Sequence, residues 1–454
     1  MKIISFNATQ VHGYLDLEAT FLKDLTFLTG INGSGKTTVI QCITALISPD
    51  ISSLISIIFE KMDVALEHDG QLVTISAQRD IEHINIETSA TEGSFTAPFE
   101  DYQFDEFDDP RRKHLALRNL SARMQGNSVI EYIQNLPSPM ILGLERTSLD
   151  KEGDRFLSEH QTRKRIFKGT LSDSLHEAID LARGNYLKTK KASDFAADSL
   201  RKNVAISMFE VPPSKADVFP TKVPAKSILG RYQKIRRDIG EALVDIDVSD
   251  DKSKRIVDEY FDDVIATISK LPFSEKLEDV LNNKNIQNEK RNATFQYIQM
   301  SPQIKIIQSL AKYADEYRNR KAIVWLKVNL YLDVIKRFLI DTNKTVSFSF
   351  DGTPSISISS EDGEKLICKD RDMFALSSGE RQIFVILTHL AFNKLAREAN
   401  VLIIDEPELS LHVRWQELFV DACSEINPDL QLIFATHSPS IIQGRTNNCI
   451  TAKK

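Results

Sequence analysis

Apolar and polar residues alternate in short stretches through the first hundred residues of the chain and again between 341 and 371. Such alternation is typical of β-strands with one buried face. An Asp-Gly pair at 69–70 separates two of these stretches and favours a two-residue hairpin turn. Further Asp-Gly pairs lie at 351–352 and 362–363. The pattern therefore predicts antiparallel β-structure in both regions, and a small sheet over residues 2–29.

Four mostly apolar runs differ from this pattern and are typical of strands buried on both faces of a parallel sheet. They lie at 25–29, 138–144, 401–404 and 430–435. Polar residues follow three of these runs at once: Glu145 and Arg146 after the second, Asp405 and Glu406 after the third, and Thr436 and His437 after the fourth.

A glycine-rich loop follows the first run, where residues 27–41 read FLTGINGSGKTTVIQ. The spacing G-x-x-x-x-G-K-[ST] between a strand and a helix is typical of a phosphate cradle, because the turn and the helix N-terminus both present N–H groups. Lys36 is expected to reach the β- and γ-phosphates of a nucleotide, and Thr37 to ligate Mg²⁺. The predicted nucleotide contacts in this loop are Gly30, Asn32, Gly33, Ser34, Gly35, Lys36, Thr37 and Thr38.

Asp405 and Glu406 stand together at the end of a run that predicts a buried strand. Two acids in such a place are costly unless a cation accompanies them, and a magnesium nucleotide would supply one. Asp405 is therefore expected to hold Mg²⁺ together with Thr37, and Glu406 to polarise the attacking water. His437, at the end of another such run, is expected to sense the γ-phosphate.

A second candidate phosphate-binding end lies at residues 375–392, where Ser-Ser-Gly-Glu precedes an apolar helix. Small residues at a helix N-terminus leave its N–H groups accessible to an anion. The same four residues are also a helix-capping pattern. The residues concerned are Ser377, Ser378, Gly379 and Glu380.

Charged helical segments dominate from about 150 to 340, with a proline-rich break at 211–226 and no sustained heptad repeat. The first half of this region is basic, notably at 163–168 and 188–191. Two interpretations stay open: solvated helix faces, or a surface that contacts the phosphate backbone of DNA. The acidic segment 92–109 is either a solvated loop or a partner-facing one.

Composition limits the possible settings of the chain. The 454 residues carry a net charge of −7, so any surface for nucleic acid must be local. The four cysteines include no Cys-x-x-Cys pair, which fits a reducing compartment and gives no support for a zinc site. No apolar run has the length of a membrane span, and the N-terminus lacks the order of a signal peptide. We expect a cytoplasmic protein without a membrane segment.

The order of phosphate loop, Ser-Ser-Gly-Glu, Asp-Glu strand and Thr-His strand resembles the ABC-type ATPase heads. Within these, "DEPELSLH" and "ATHSPSII" are similar to the soluble RecF, SMC and OLD-like branch. The resemblance implies an α/β fold: an ABC-type P-loop ATPase head whose mixed or parallel sheet core carries an antiparallel β lobe and a large helical insertion. The domains expected are a first half of the head at 1–148 with the Walker A loop, the insertion at 149–340, and a second half at 341–454 with the signature, Walker B strand and switch histidine.

The resemblance also implies ATP and Mg²⁺ as ligands and a head-to-head dimer, with higher homo-oligomers as a further option. Ser377 and Gly379 of one subunit would contact the γ-phosphate held by Lys36 of the other. The family's Leu-Ser-Gly-Gly-Gln signature is here Leu-Ser-Ser-Gly-Glu. Gln78 is a candidate for the glutamine that joins the two lobes of such heads, and Tyr14 for the adenine-stacking aromatic.

Two departures narrow the resemblance. The insert lacks long heptads and a zinc-hook Cys-x-x-Cys, which disfavours the double-strand-break clamps. The 17 residues after His437 leave no room for the Toprim nuclease of OLD-like proteins, so a nuclease is expected on another polypeptide. The chain looks most like the ATPase subunits of two-gene antiphage systems, Septu (HNH-type partner) first and PARIS (Toprim-type effector) second. A RecF/SMC-like DNA-repair ATPase is the alternative, and a transporter ATPase subunit a remote one.

Overall fold

The computed structural model describes residues 1–31, 33–47, 54, 56–98, 122–142, 171–207, 226–245, 251–273, 280, 287–360, 365–409 and 411–452. The predictions for Asn32, Glu145, Arg146, the Asp-Gly pair at 362–363, the basic residues 163–168, most of the proline-rich break and most of the acidic segment lie outside these residues. The chain forms two compact units, Met1–Tyr186 with Leu330–Lys454, and Leu187–Asn329. The second unit lies within the helical insertion expected at 149–340.

The strands found among these described residues all belong to the first unit. They are β1 (Lys2–Val11), β2 (Leu15–Thr20), β3 (Leu25–Thr29), β4 (Lys61–His68), β5 (Gln71–Arg79), β6 (His83–Thr88), β7 (Ser94–Pro98), β8 (Met140–Leu142), β9 (Lys344–Phe348), β10 (Pro354–Ser359), β11 (Leu366–Arg371), β12 (Val401–Asp405), β13 (Gln431–Ala435) and β14 (Cys449–Thr451). The helices are α1 (Lys36–Ile47), α2 (Ser128–Asn135), α3 (Leu171–Ser207), α4 (Ile228–Asp245), α5 (Asp251–Ser269), α6 (Asn288–Leu339), α7 (Ser378–Phe392), α8 (Lys394–Ala399), α9 (Val413–Ile426) and α10 (Pro439–Ile442).

A five-stranded sheet forms the centre of the first unit, in the order β14-β3-β13-β12-β8, with every neighbouring pair parallel. All four apolar runs lie in this sheet, as predicted. Ala435 pairs with Asp405 on one side and with Leu28 on the other. The carboxyl ends of β3, β12 and β13 therefore meet at one edge, where open α/β sheets bind their ligands.

A six-stranded antiparallel sheet, in the order β2-β1-β4-β5-β6-β7, forms a separate lobe of the same unit. The hairpin predicted at 69–70 joins β4 to β5, with positive φ at Asp69 (50°) and Gly70 (77°), as a type I′ turn requires. The single sheet predicted over residues 2–29 is wrong. β1 and β2 pair in the lobe, whereas β3 joins the parallel sheet because both of its faces are buried.

A three-stranded sheet, β11-β10-β9, precedes the helix α7 in the chain. The end of α6 packs on α7 through Tyr331, whose buried hydroxyl lies 2.6 Å from Thr388 Oγ1. The Tyr331 ring also lies edge-on to Phe392, with centroids 4.7 Å apart. The end of α6 is thereby placed beside the helix that carries the candidate signature residues.

The second unit is helical. One core cluster includes Tyr232 of α4, Phe261 and Val264 of α5, and Tyr297 of α6. Another joins α3 and α6 and includes small residues, among them Ala196. Although the sequence carries no sustained heptad, α6 is continuous over 52 residues, a length of about 78 Å.

The predicted fold class is confirmed: a parallel α/β core with an antiparallel β lobe and a large helical insertion. Within the described residues, no helix combines the length and the apolar character that crossing a bilayer would require.

Candidate functional site

The phosphate loop connects the end of β3 to the start of α1. Gly30 has φ 152° and Gly35 has φ 90°, values that side chains rarely adopt. A Cβ at Gly30 would lie 2.6 Å from Ser34 Oγ, and one at Gly35 would lie 2.8 Å from Leu17 Cδ2. The loop therefore needs glycine at both positions, and the sequence supplies it. Gly33 is exposed, and Thr37 and Thr38 are half-buried in the first turn of α1.

Lys36 folds back onto its own loop and reaches a distant part of the chain. Its side chain is buried, and Nζ lies 3.2 Å from Gly30 O and 3.4 Å from Ile31 O. Nζ also lies 2.6 Å from Nε2 of His437, which follows the neighbouring strand β13. An ammonium has three donors, and the three acceptors take all of them. The structure thus brings the predicted phosphate-binding lysine and the predicted sensing histidine together.

Asp405 ends β12 and is buried. Burial raises the pKa of its carboxyl group, a hydrogen bond from Thr37 opposes this, and the nearby charge of Glu406 raises the pKa further. The two predicted metal ligands, Thr37 and Asp405, therefore lie close together. A carboxylate that burial disfavours in its charged form is suited to accept a cation.

Glu406, the predicted base, follows Asp405 and is half-buried. Its φ is 50°, in the left-handed region that few residues other than glycine adopt. Its N–H donates to Ala435 O at 2.8 Å, so the bond that ties β12 to β13 continues one residue past the strand.

Glu408 was not singled out from the sequence. Its Oε2 accepts from the Thr436 hydroxyl and its Oε1 from the His437 N–H, both at 2.8 Å. The signal was available, since "DEPELSLH" contains a third acid, but nothing in the sequence pairs that acid with a segment 28 residues later. Glu408 joins the loop after β12 to the loop after β13.

The candidate signature residues start α7. Ser377 is its N-cap and Ser378 follows; both are exposed, and Gly379 is half-buried. Ser377 Oγ accepts from the Glu380 N–H at 3.4 Å, and Glu380 Oε2 accepts from the Ser377 N–H at 2.7 Å. This is a capping box, one of the two interpretations of the pattern. It leaves the exposed end of α7 facing outward.

The Glu380 side chain has a different placement from the phosphate contact expected of it. It is 1% exposed, and its carboxylate accepts from Lys344 Nζ at 2.8 and 2.9 Å and from the Thr342 hydroxyl at 2.9 Å. Burial would raise the pKa of Glu380, but the hydrogen bonds from Lys344, Ser377 and Thr342 outweigh it and hold the pKa below its usual value. The carboxylate is thus directed into the head, where it anchors the start of α7.

Two buried polar atoms test whether the site suits a magnesium nucleotide. Ser34 Oγ and Asp405 Oδ1 are among the buried polar side-chain atoms of the described residues for which no hydrogen-bond partner is found. Buried polar atoms usually have partners, so an orphan in a cradle indicates a missing ligand. Both residues belong to the predicted nucleotide and Mg²⁺ contacts. The described residues include no cluster of three or more His, Cys, Asp or Glu side chains placed to hold a metal alone. Mg²⁺ is often held by few protein ligands together with substrate phosphates, so the donor set fits.

The two remaining candidates lie in the antiparallel lobe. Gln78 is exposed on β5, opposite Lys61 and Asn85 of the adjacent strands. Tyr14 is 72% exposed in the turn between β1 and β2. Their roles stay predictions.

A protein-family model matches residues 236–443; it is described as "AAA domain, putative AbiEii toxin, Type IV TA system". The match covers somewhat less than half of the chain and includes Ser377, Asp405, Glu406 and His437. A curated relative, the "Retron Vc95 probable ATPase" of Vibrio cholerae serotype O1 biovar El Tor, is 24% identical over 157 residues. The chain carries an ATPase-type domain.

The match to the retron protein covers 32% of this chain and 29% of the relative's length. Two solved structures align over nearly the whole chain. One is an Smc head domain with an extended coiled coil, bound to the C-terminal domain of ScpA, from Pyrococcus furiosus (TM-score 0.39, 13% identity, 99% of this chain and 93% of that one). The other is an Smc head domain with a coiled coil and joint from Pyrococcus yayanosii (TM-score 0.34, 14% identity, 100% and 95%). The fold assignment rests on the strand order described above.

Proposed function

We propose that this protein binds and hydrolyses ATP with Mg²⁺. The observation that carries the proposal is the convergence of Lys36, Thr37, Asp405 and His437 at one edge of the parallel sheet, beside two orphaned buried oxygens. Lys36 would exchange its present acceptors for the phosphates. Thr37 and Asp405 would hold Mg²⁺, which neutralises phosphate charge when bound. Glu406 would orient and deprotonate the attacking water, and His437 would contact the γ-phosphate.

The site is proposed to be completed by a second copy of the chain. Ser377 and Ser378 are exposed at the N-terminus of α7, and the capping box leaves other N–H groups of that turn available to an anion. In a symmetric head-to-head dimer, this end of one protomer would meet the nucleotide bound by the Lys36 loop of the other. Closure around ATP and opening after hydrolysis would then be the output of the head.

That output is proposed to control a separate effector, a nuclease or toxin subunit of the HNH or Toprim type, in bacterial antiphage defence of the Septu or PARIS kind. The support is the resemblance of the motifs, the family description that names an AbiEii toxin, and the retron protein among the relatives. DNA is a second proposed partner, through the basic residues Lys188, Lys190 and Lys191 of α3, which would suit a RecF/SMC-like role instead.

The experiment for ATP hydrolysis compares wild type with Lys36→Ala. Wild type should release phosphate from ATP only with Mg²⁺, and Lys36→Ala should bind ATP at least about tenfold more weakly. His412→Ala is the control, because His412 is an exposed residue at the start of α9 with no side-chain cap bond. Wild type that neither binds nor hydrolyses ATP would overturn the proposal.

Mixing two inactive variants tests the shared site. Ser377→Arg should keep ATP binding but disable the site that its own Ser377 would complete, and Lys36→Ala should keep intact signature residues. A heterodimer of the two contains one complete site, so an equal mixture should recover about a quarter of wild-type activity if dimers form at random. No recovery, with wild type active and dimeric in ATP by light scattering, would contradict the shared site. Co-purification with the product of a neighbouring gene, with and without ATP, tests the effector.

A further inference from the structure

Glu408 holds the segment that carries His437. Its two carboxylate oxygens accept from two adjacent residues of that segment, the Thr436 hydroxyl and the His437 N–H, each at 2.8 Å. Thr436 is fully buried, and its own N–H donates to Leu28 O at 3.1 Å. The Thr436 hydroxyl in turn accepts from the Ser438 N–H at 2.9 Å. The path of the chain through His437 is therefore fixed from both sides, with Glu408 at its centre.

A second side chain reinforces the same junction. Gln416 Nε2 donates to Glu408 O at 3.3 Å and to Leu411 O at 2.9 Å. Its Oε1 accepts from the Ser438 hydroxyl at 2.7 Å. The short helical turn Pro407–Leu409 and the segment 436–438 thus form one hydrogen-bonded unit. Movement of the loop behind Glu406 would be passed to His437.

His437 is exposed, and its side chain extends from this hydrogen-bonded segment. Its Nε2 lies 2.6 Å from Lys36 Nζ. Since an ammonium only donates, Nε2 accepts and the ring proton is on Nδ1. The contact with Lys36 thus sets the tautomer of the imidazole, and the hydrogen bond from the His437 N–H to Glu408 helps to hold the backbone that carries it.

We propose that Glu408 is a positioning residue that places His437 for its contact with Lys36 and with the γ-phosphate, an inference that rests on the proposed ATP hydrolysis. Glu408 contacts neither nucleotide nor metal in this role; it acts through His437. A competing role is electrostatic, because the charge of Glu408 also acts on Asp405. The two roles require different things: position needs both acceptor oxygens at the right reach, whereas charge alone needs only a carboxylate.

Three substitutions separate these roles. Glu408→Gln keeps the length but replaces one acceptor by a donor, so the side chain can no longer accept from both the Thr436 hydroxyl and the His437 N–H. Glu408→Asp keeps the charge but shortens the reach. Under positioning, both should lower kcat about tenfold or more while the Kd for ATP stays within about threefold. Under an electrostatic role, Glu408→Asp should retain near-normal activity. Glu417→Ala, which removes an exposed acid on α9, is the matched control and should change neither value.

A double-mutant cycle decides whether Glu408 acts through His437. Glu408→Ala and His437→Ala should each lower kcat, and the double variant should be no slower than His437→Ala alone. Losses that multiply would overturn the proposal, as would an unchanged kcat in Glu408→Ala with wild type active. If Glu408→Ala does not fold, Glu408→Gln takes its place in the cycle.

An imidazole spectrum gives a readout independent of hydrolysis. In protein labelled with ¹⁵N-histidine, the His437 signals are identified by their loss in His437→Asn. Without nucleotide, the ¹⁵N chemical shifts of the His437 ring should be those of the neutral tautomer with its proton on Nδ1. In Glu408→Gln, these chemical shifts should move toward the averaged values of an exposed ring. An unshifted spectrum would contradict the positioning role even if wild type proves inactive, so failure of the inference and failure of the proposed function remain distinguishable.

Discussion

Lys36 Nζ and His437 Nε2 are 2.6 Å apart, although the two residues are separated by 401 positions in the chain. Together with Gly30 O and Ile31 O, the imidazole gives each donor of the lysine a protein acceptor. Under the proposed function, a bound nucleotide would take over these donors, and the imidazole would then face the γ-phosphate. The contact between Lys36 and His437 would therefore break when a nucleotide binds.

His437→Ala should therefore separate binding from turnover. The variant removes one of three acceptors of Lys36, so its Kd for ATP should stay within about threefold or become slightly tighter. Its kcat should fall about tenfold to a hundredfold, because the side chain is proposed to act on the γ-phosphate. Steady-state phosphate release and fluorescence titration with a nucleotide analogue measure the two effects. Equal losses in binding and turnover would instead make His437 a general support of the loop.

Asp405→Asn should make the protein more stable in the absence of ligand. It should also reduce the rise in melting temperature that Mg²⁺ and ATP cause. Burial raises the pKa of Asp405, so the ionised carboxylate costs folding free energy when no cation is present. That cost should appear as pH rises above the ordinary value of 3.8 and reach its full size above the folded-state pKa. The melting temperature of the variant should thus exceed that of wild type at neutral pH.

Binding of Mg²⁺ with ATP should reverse this ranking of the two melting temperatures. Addition of Mg²⁺ and ATP should raise the melting temperature of wild type by several degrees and that of Asp405→Asn by much less. Asp194→Asn, an exposed acid on α3, serves as the control for loss of one negative charge. A full Mg²⁺-dependent shift in Asp405→Asn would contradict the assignment of this carboxylate as a metal ligand.

Glu380→Gln should destabilise the head. Its carboxylate is buried and paired with Lys344, and removing one member of a buried pair typically costs about 3 kcal/mol of unfolding free energy. Glu425→Gln is the matched control, since its partner Arg337 holds it at the surface, where such pairs contribute less than about 1 kcal/mol. Urea unfolding of both variants gives the comparison.

The stabilisation that the Glu380–Lys344 pair provides should depend on pH. The pKa of Glu380 is lowered in the folded protein, so its stabilisation is complete above the ordinary value of 4.5 and is lost as pH falls through the folded-state pKa. The difference in unfolding free energy between wild type and Glu380→Gln should accordingly shrink on acidification below 4.5. A constant difference would mean that Glu380 contributes through packing rather than through its charge.

Reversal of three charges on α3 tests the proposed DNA contact. Lys188, Lys190 and Lys191 replaced by Glu should weaken DNA binding without changing ATP hydrolysis by the purified chain, and lower the slope of log K against log salt by up to about 3. Reversal of Lys252, Lys254 and Arg255 on α5 is the control with the same change in net charge. Equal effects of both triple variants would return the α3 surface to an ordinary solvated helix face.

Much of the candidate nucleotide site could be predicted from the sequence because its signals are local. The glycines and Lys36 of the loop, the acids after β12 and the histidine after β13 each stand next to an apolar run, and parallel pairing brings the ends of such runs together. The Asp-Gly hairpin is local in the same sense, since its backbone geometry depends on two residues.

The sequence could not predict side-chain contacts between residues that lie far apart in the chain. Glu408 accepts a hydrogen bond from Thr436, and Lys344 donates one to Glu380, only because the segments that carry these residues pack together. The pattern at 2–29 likewise gives strands but not their sheets, which depend on which faces the rest of the chain covers. For Glu380, both a phosphate contact and a cap were compatible with the local sequence; its burial beside Lys344 favours the cap.

The left-handed backbone of Glu406 costs this protein folding free energy. Glycine adopts a φ of 50° freely, whereas a residue with a side chain is held there at a cost of about 1 kcal/mol or more. Replacement by glycine would relieve that strain, so a chain selected only for stability would favour it. The glutamate is kept against the local preference of the backbone, and Glu406→Gly offers a direct comparison of what this protein gives up in stability with what it gains in turnover.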